Sequence, residues 1–299
     1  MAALAGALAL AAGGFAVSAQ DNSAGASARI VAVGGAITEV LYALGLQDKV
    51  VGVDTTSQWP PEALKEKKSV GYVRALSAEG VLSLRPTLVI AVEGAGPPDA
   101  LALLRESGTP IADVPEAFTA DAVVNKIAVI GKAAGAAGPA QALAERVREA
   151  FVALDAQRAR LPARKRVLFV LSTQNGRTMV GGRNSTADGI IALAGGINAA
   201  AAVEGYKPMT DEAIINAAPD YIVMMRHTAA HGSSADELFA APAFSQTPAA
   251  KTKALIRMDG LYLLGFGPRT PDAARDLMGL LYPEAGIAVS DAGKAYAAP

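Results

Sequence analysis

The chain repeats itself. Leu76-Ser77-Ala78-Glu79 is answered by Met209-Thr210-Asp211-Glu212, and Leu88-Val89-Ile90-Ala91-Val92 by Tyr221-Ile222-Val223-Met224-Met225. Glu79 recurs as Glu212, Pro86 as Pro219 and Leu88 as Tyr221, each 133 positions on. A register held from 76 to 92 and again from 209 to 225 predicts two lobes built on one plan. Two similar lobes leave a cleft between them, where a small molecule can sit.

The strand and helix signals agree. Short apolar runs at 29–34, 49–53, 87–92 and 111–114 alternate with helical stretches, predicting a parallel sheet with flanking helices. Thr38 is expected to cap the helix after Gly34-Gly35, and Ser77 the next repeat-bearing helix. From Pro139 to Arg160 good helix formers predict one helix of about 22 residues, roughly 33 Å long, able to join two lobes. The pattern then restarts: a strand at 166–171, Gly181-Gly182, Thr186 as a cap, and a closing helix at 271–281 introduced by Arg269-Thr270. The expected fold is α/β, with two similar lobes, each a mainly parallel sheet with flanking helices, joined by one long interlobe helix. The N-terminal lobe spans 29–135, the interlobe helix 136–162 and the C-terminal lobe 163–299.

Composition narrows the functions. With 52% hydrophobic and 18% charged residues the chain packs as a globular protein. Its 27 basic and 28 acidic residues leave no positive excess for a nucleic-acid backbone or an anionic membrane surface. Cysteine is absent, which excludes disulfides, thiolate metal sites, a cysteine nucleophile and a lipid-modified cysteine. Residues 1–19 are small, apolar and uncharged, and Val17-Ser18-Ala19 fits a signal-peptide cleavage site, although no Lys or Arg precedes Arg29. A signal peptide over 1–19 and a loose, disordered stretch over 20–28 are expected, and with them a periplasmic location.

Tyr72 is the leading candidate ligand residue. It lies just before the Ser77 helix, beside Gly71, with Arg74 two residues on. In an extended segment those two side chains share a side, and a guanidinium beside a phenol favours the phenolate. A phenolate suits ferric iron, and tyrosine is a known haem ligand. The alternative is a tyrosine packed on the lobe surface. Arg226 ends the run Tyr221–Met225, and strand ends of this kind face a ligand crevice. Trp59, before Pro60-Pro61, is placed on a loop at the cleft rim. Apart from Met1, every methionine lies in the second half, as core or as pocket wall. His227 and His231 are the only histidines, on a loop-like stretch with no third metal ligand near. No nucleophile-elbow or phosphate-loop spacing occurs. Glu79 and Glu212 either complement their helix N-termini or present one acid per lobe to a partner.

The stretch from Val70-Gly71-Tyr72-Val73-Arg74 to Arg85-Pro86 resembles the periplasmic haem-binding proteins of bacterial haem ATP-binding-cassette (ABC) transporters. These belong to the class with a rigid interlobe helix shared by cobalamin and siderophore binders. Thr186-Ala187-Asp188, Gly195-Gly196-Ile197-Asn198 and Gly267-Pro268-Arg269-Thr270-Pro271 carry the resemblance further. It implies that Tyr72 ligates haem iron with Arg74 beside it. It also implies that Arg226 supports the bound haem, and that Glu79 and Glu212 dock to an ABC permease. Relatives that stack two haems use a second-lobe histidine, which Leu171-Ser172-Thr173-Gln174 does not supply. The expectation is a monomeric binding protein, not an enzyme, that carries haem; the alternative is a same-fold binder of a ferric siderophore or corrinoid. A hydrolase or chelatase using His227 and His231 is the third possibility.

Overall fold

The computed structural model describes residues 28–174, 177–226, 234–291 and 293. The expected signal peptide, His227 and His231 lie outside them.

The first lobe is built on strands β1 (Ile30–Val33), β2 (Val50–Val53), β3 (Lys68–Ser69), β6 (Leu88–Val92) and β7 (Ile111–Val114). They form one sheet in the order β3-β2-β1-β6-β7, with every pairing parallel. The central strand β1 is buried along its whole length, as expected of a strand covered on both faces. Helices α1 (Gly35–Ala43), α2 (Glu62–Glu66), α3 (Ala78–Ser83), α4 (Pro98–Glu106) and α5 (Ala120–Ala133) cover it. Strands β4 (Gly71–Tyr72) and β5 (Ala75–Leu76) form a separate small hairpin.

Helix α6 (Ala137–Arg158) runs for 22 residues. Its buried positions Ala140, Leu143, Ala144, Val147, Phe151 and Leu154 follow a helical period and make one apolar face. That face packs on α5 of the first lobe and on α7 (Thr186–Leu193) and α13 (Thr270–Leu281) of the second. Gly131 on α5 lies against Ala140, and a β-carbon there would collide with it. A single core cluster therefore runs from Ile37 and Ile127 through Phe151 to Phe169 and Leu277.

The second lobe uses β8 (Arg166–Gln174), β9 (Arg177–Gly181), β10 (Ile197–Asn198), β11 (Tyr206–Met209), β12 (Tyr221–Met225) and β13 (Leu255–Met258). Their order is β11-β9-β8-β12-β13, with β10 also on β8. The β8 pairings with β10 and β12, and β12 with β13, are parallel. The hairpin β8–β9 and its extension to β11 are antiparallel, a half of the sheet that the apolar runs did not reveal. Helices α7, α8 (Asp211–Ala217), α9 (Ala235–Ala240), α10 (Pro242–Ser245), α11 (Pro248–Thr252), α12 (Gly260–Leu264) and α13 complete the lobe.

The repeat is structural as well as sequential. Ser77 caps α3 through Gly80 N–H, and Thr210 caps α8 through Ala213 N–H. Both helices end at a left-handed residue, Arg85 (φ 47°) and Ala218 (φ 44°), at equivalent positions. An arginine at the start of each lobe's first strand, Arg29 just before β1 and Arg166 as the first residue of β8, closes the helix end: Arg29 Nε donates to Leu84 O at 3.0 Å, and Arg166 Nε to Ala217 O at 2.7 Å. Their backbone N–H groups donate to Thr87 Oγ1 and Asp220 Oδ2, again equivalent positions.

Three expected caps move. Gly34, at φ 124°, precedes α1, while Thr38 lies inside the helix with its hydroxyl 2.7 Å from Ser57. Ser185 caps α7, one residue before Thr186. The Arg269 side chain does not cap α13; it reaches the other lobe instead.

Candidate functional site

Between the lobes lies a cavity of about 440 Å³. The first lobe lines it with the start of α1, Thr56, Gln58, the β4–β5 turn, Val92, Glu93, Glu116 and Lys126. The second lobe contributes Met225, Leu261 and Leu264, with the backbone of Gly260 and Gly265. Val92 and Met225 are repeat partners, the last residues of β6 and β12. The cavity thus lies where equivalent strand ends of the two lobes face each other, the place where open α/β sheets bind ligands.

Tyr72 reaches this cavity from the hairpin. Gly71 adopts φ 101°, and a β-carbon there would lie 2.7 Å from Ala75 O, so glycine is required. Gly71 O accepts from Thr55 N–H at 2.9 Å, and Val73 O from Gly96 N–H at 2.9 Å, which fixes the hairpin to the lobe. Tyr72 is 49% exposed, and its hydroxyl makes no hydrogen bond among the described residues. An aromatic residue with a free hydroxyl at a cavity wall is available to a ligand.

Arg74 is not in an extended run. Tyr72 pairs with Ala75, so Val73 and Arg74 form the two-residue turn between them. The argument that alternate residues share a side fails there, yet both Tyr72 and Arg74 line the cavity. The guanidinium also acts toward the second lobe. Burial pushes the Tyr206 phenol up, and Thr186, Ala187, Ser185 and then Arg74 pull it back down.

The other expected residues are placed as follows. Trp59 is not among the cavity-lining residues; its ring packs under the Arg269 guanidinium, 4.4 Å from the centroid. Arg226 follows the lining residue Met225 and donates its backbone N–H to Met258 O at 2.7 Å, without itself lining the cavity. Among the remaining methionines, Met209, Met258 and Met278 are buried. Glu79 and Glu212 are exposed in the first turns of α3 and α8, with no ion pair among the described residues.

Two features of the wall were not read from the sequence. Helix α12, capped by Asp259, supplies most of the second lobe's wall; its five residues are too few to show a period. Lys126 was hidden in the apolar run of α5. Its side chain is 1% exposed, and Nζ lies 2.7 Å from Glu116 Oε1. Glu116 N–H in turn donates to Glu93 Oε2 at 3.0 Å.

A sequence model of the periplasmic binding protein family, Peripla_BP_2, matches residues 30–261. The chain belongs to this family. The fold agrees with the solved structure of a periplasmic haem-binding protein, RhuT from Roseiflexus sp. RS-1. The TM-score is 0.82 and the identity 40%, covering 87% of this chain and all of that one (100%). An uncharacterized ABC transporter substrate-binding lipoprotein of Bacillus subtilis, YvrC, is 29% identical over 86% of this chain and 80% of its own length. The vitamin B12-binding protein of Vibrio cholerae is 31% identical over 68% of this chain and 72% of its own. The chain is therefore a substrate-binding protein of the ABC transporter class, in a family of transport binding proteins. Among the described residues no helix is long and apolar enough to cross a membrane.

Proposed function

We propose that this protein captures ferric haem in the interlobe cavity and delivers it, in the periplasm, to an ABC permease. Tyr72 binds the iron through its phenolate, and Arg74 at the adjacent turn balances the added negative charge. Ile37, Val92, Met225, Leu261 and Leu264 offer apolar contact to the porphyrin faces. Arg226, one residue beyond Met225, supports the ligand's charge at the second-lobe edge. Glu79 and Glu212, one per lobe, are presented to basic pockets on the permease. The lobes close little on binding, because α6 packs continuously against both.

One observation carries this reading: a half-exposed tyrosine, its hydroxyl unpaired among the described residues, at the wall of an apolar interlobe cavity. The likeness to a haem-binding protein at 40% identity supports it. The second reading is a corrinoid ligand, favoured by the 31% identity to a vitamin B12-binding protein. Competition separates the two. The protein is loaded with haem, challenged with excess cyanocobalamin, and its bound ligand identified by native mass spectrometry. Retention of haem supports the proposal; replacement by cobalamin overturns it.

A further inference from the structure

Lys126 is an odd residue to bury beside a ligand cavity. Its ammonium has three N–H donors, and Glu116 Oε1 is its one partner among the described residues. Two donors of a charged group stay unsatisfied while the side chain is 1% exposed. Glu116 differs: its side chain is 29% exposed, so water solvates the rest of its charge. The pair is thus asymmetric, and the ammonium is the member short of solvation. A buried charge needs its remaining hydrogen bonds made, or the pair is a net cost. Lys126 lines the cavity, so a group that enters it can make them.

We propose that Lys126 receives a carboxylate of the ligand, which on the haem reading above is a propionate. A carboxylate supplies both the acceptors and the countercharge, whereas a neutral carbonyl supplies acceptors alone. The other charges on the wall permit this. Glu93 spends Oε2 on the Glu116 backbone, and Arg74 lines the same cavity as a second cation. Glu116 then has a definite role. It holds the ammonium in place before the ligand arrives, and competes with the ligand for it afterwards. Lys126 thereby selects for acid-bearing porphyrins over esterified or amidated ones.

The test uses the full mature chain and compares ferric protoporphyrin IX with its dimethyl ester, in which both propionates are capped. Wild type is expected to bind the free acid about tenfold more tightly than the ester, the size of one charge-assisted hydrogen bond. Lys126→Met should remove that preference by weakening the acid about tenfold and leaving the ester unchanged. Glu116→Gln should keep or raise affinity for the acid, because a competitor for the ammonium is gone.

A purely structural ion pair gives a different pattern. Both variants then weaken acid and ester alike, and that result overturns the assignment, as does a Lys126→Met variant with full affinity for the acid. If wild type binds neither porphyrin, the haem reading itself has failed, a result visible before any variant is made. If wild type instead binds cyanocobalamin and Lys126→Met weakens it, the recognised arm is a carboxamide and the carboxylate assignment is wrong.

Discussion

Glu39 and Arg269, 230 positions apart, tie the two lobes together: Arg269 Nη2 donates to Glu39 Oε2 at 2.9 Å and Arg269 N–H to Oε1 at 3.1 Å. Glu39 lies on α1 with its side chain only 7% exposed, and Arg269 immediately precedes α13. The guanidinium also lies over Trp59 and, at 5.2 Å, over Tyr262. Replacing Arg269 by Met would leave the buried Glu39 carboxylate with the backbone N–H of residue 269 but without its countercharge. The expected loss is roughly 3 kcal/mol in urea denaturation, the scale of a broken buried pair. Fluorescence of the single tryptophan, Trp59, should shift in the same variant. An unchanged midpoint would mean that the pair contributes nothing net.

Ala218 holds φ 44° at the end of α8, a conformation costing an L-residue roughly 1 kcal/mol and glycine almost nothing. Ala218→Gly should raise the thermal midpoint by about 2–4 °C, measured by circular dichroism. A fall instead would show that chain entropy outweighs the strain.

These two sites mark what the sequence could and could not convey. The 133-residue register located α3 with β6 and α8 with β12, because caps, periods and strand runs are local signals. Ser77 was legible as a cap for the same reason. Thr38 and Thr186 were not, because the competing choices, Gly34 and Ser185, differ by backbone φ and by a hydroxyl one residue away. The β8–β9 hairpin escaped because its strands were read through apolar runs alone. Tyr72 and Arg74 both lie on the cavity wall, but the reason given for their proximity assumed an extended strand where the chain turns. Lys126 and the Glu39–Arg269 pair depend on tertiary contact, which no local pattern encodes.

Tyr262 gives a pH prediction. Burial, then the hydrogen bond to Asp276 Oδ2 at 2.8 Å, raises its phenol well above the ordinary 10.0. The unfolded chain releases this proton first as pH rises, so it binds fewer protons than the folded one. The contribution is therefore intact below about pH 10 and is lost as pH climbs through the raised value. Urea midpoints should hold steady to about pH 10 and then fall, and Tyr262→Phe should make the fall shallower. Parallel curves would assign the alkaline loss to other groups.

Glu79 and Glu212 are exposed and make no ion pair among the described residues, so their removal should leave both the fold and the ligand site intact. Stability should change by less than about 0.5 kcal/mol in Glu79→Lys/Glu212→Lys, and haem affinity not at all. Delivery to a permease reconstituted in liposomes should fail. Normal transport by the double variant would remove the docking role.

The haem spectrum of wild type beside Tyr72→Phe tests the central claim most directly, because phenylalanine keeps the ring and deletes only the ligating oxygen. Wild type titrated with ferric haem should saturate with a high-spin, tyrosinate-ligated absorption spectrum and its tyrosinate resonance Raman bands. Tyr72→Phe should lose those bands and bind haem at least tenfold more weakly, about 1.4 kcal/mol or more. Identical spectra and affinities in the two proteins would contradict the account and place the iron on another residue.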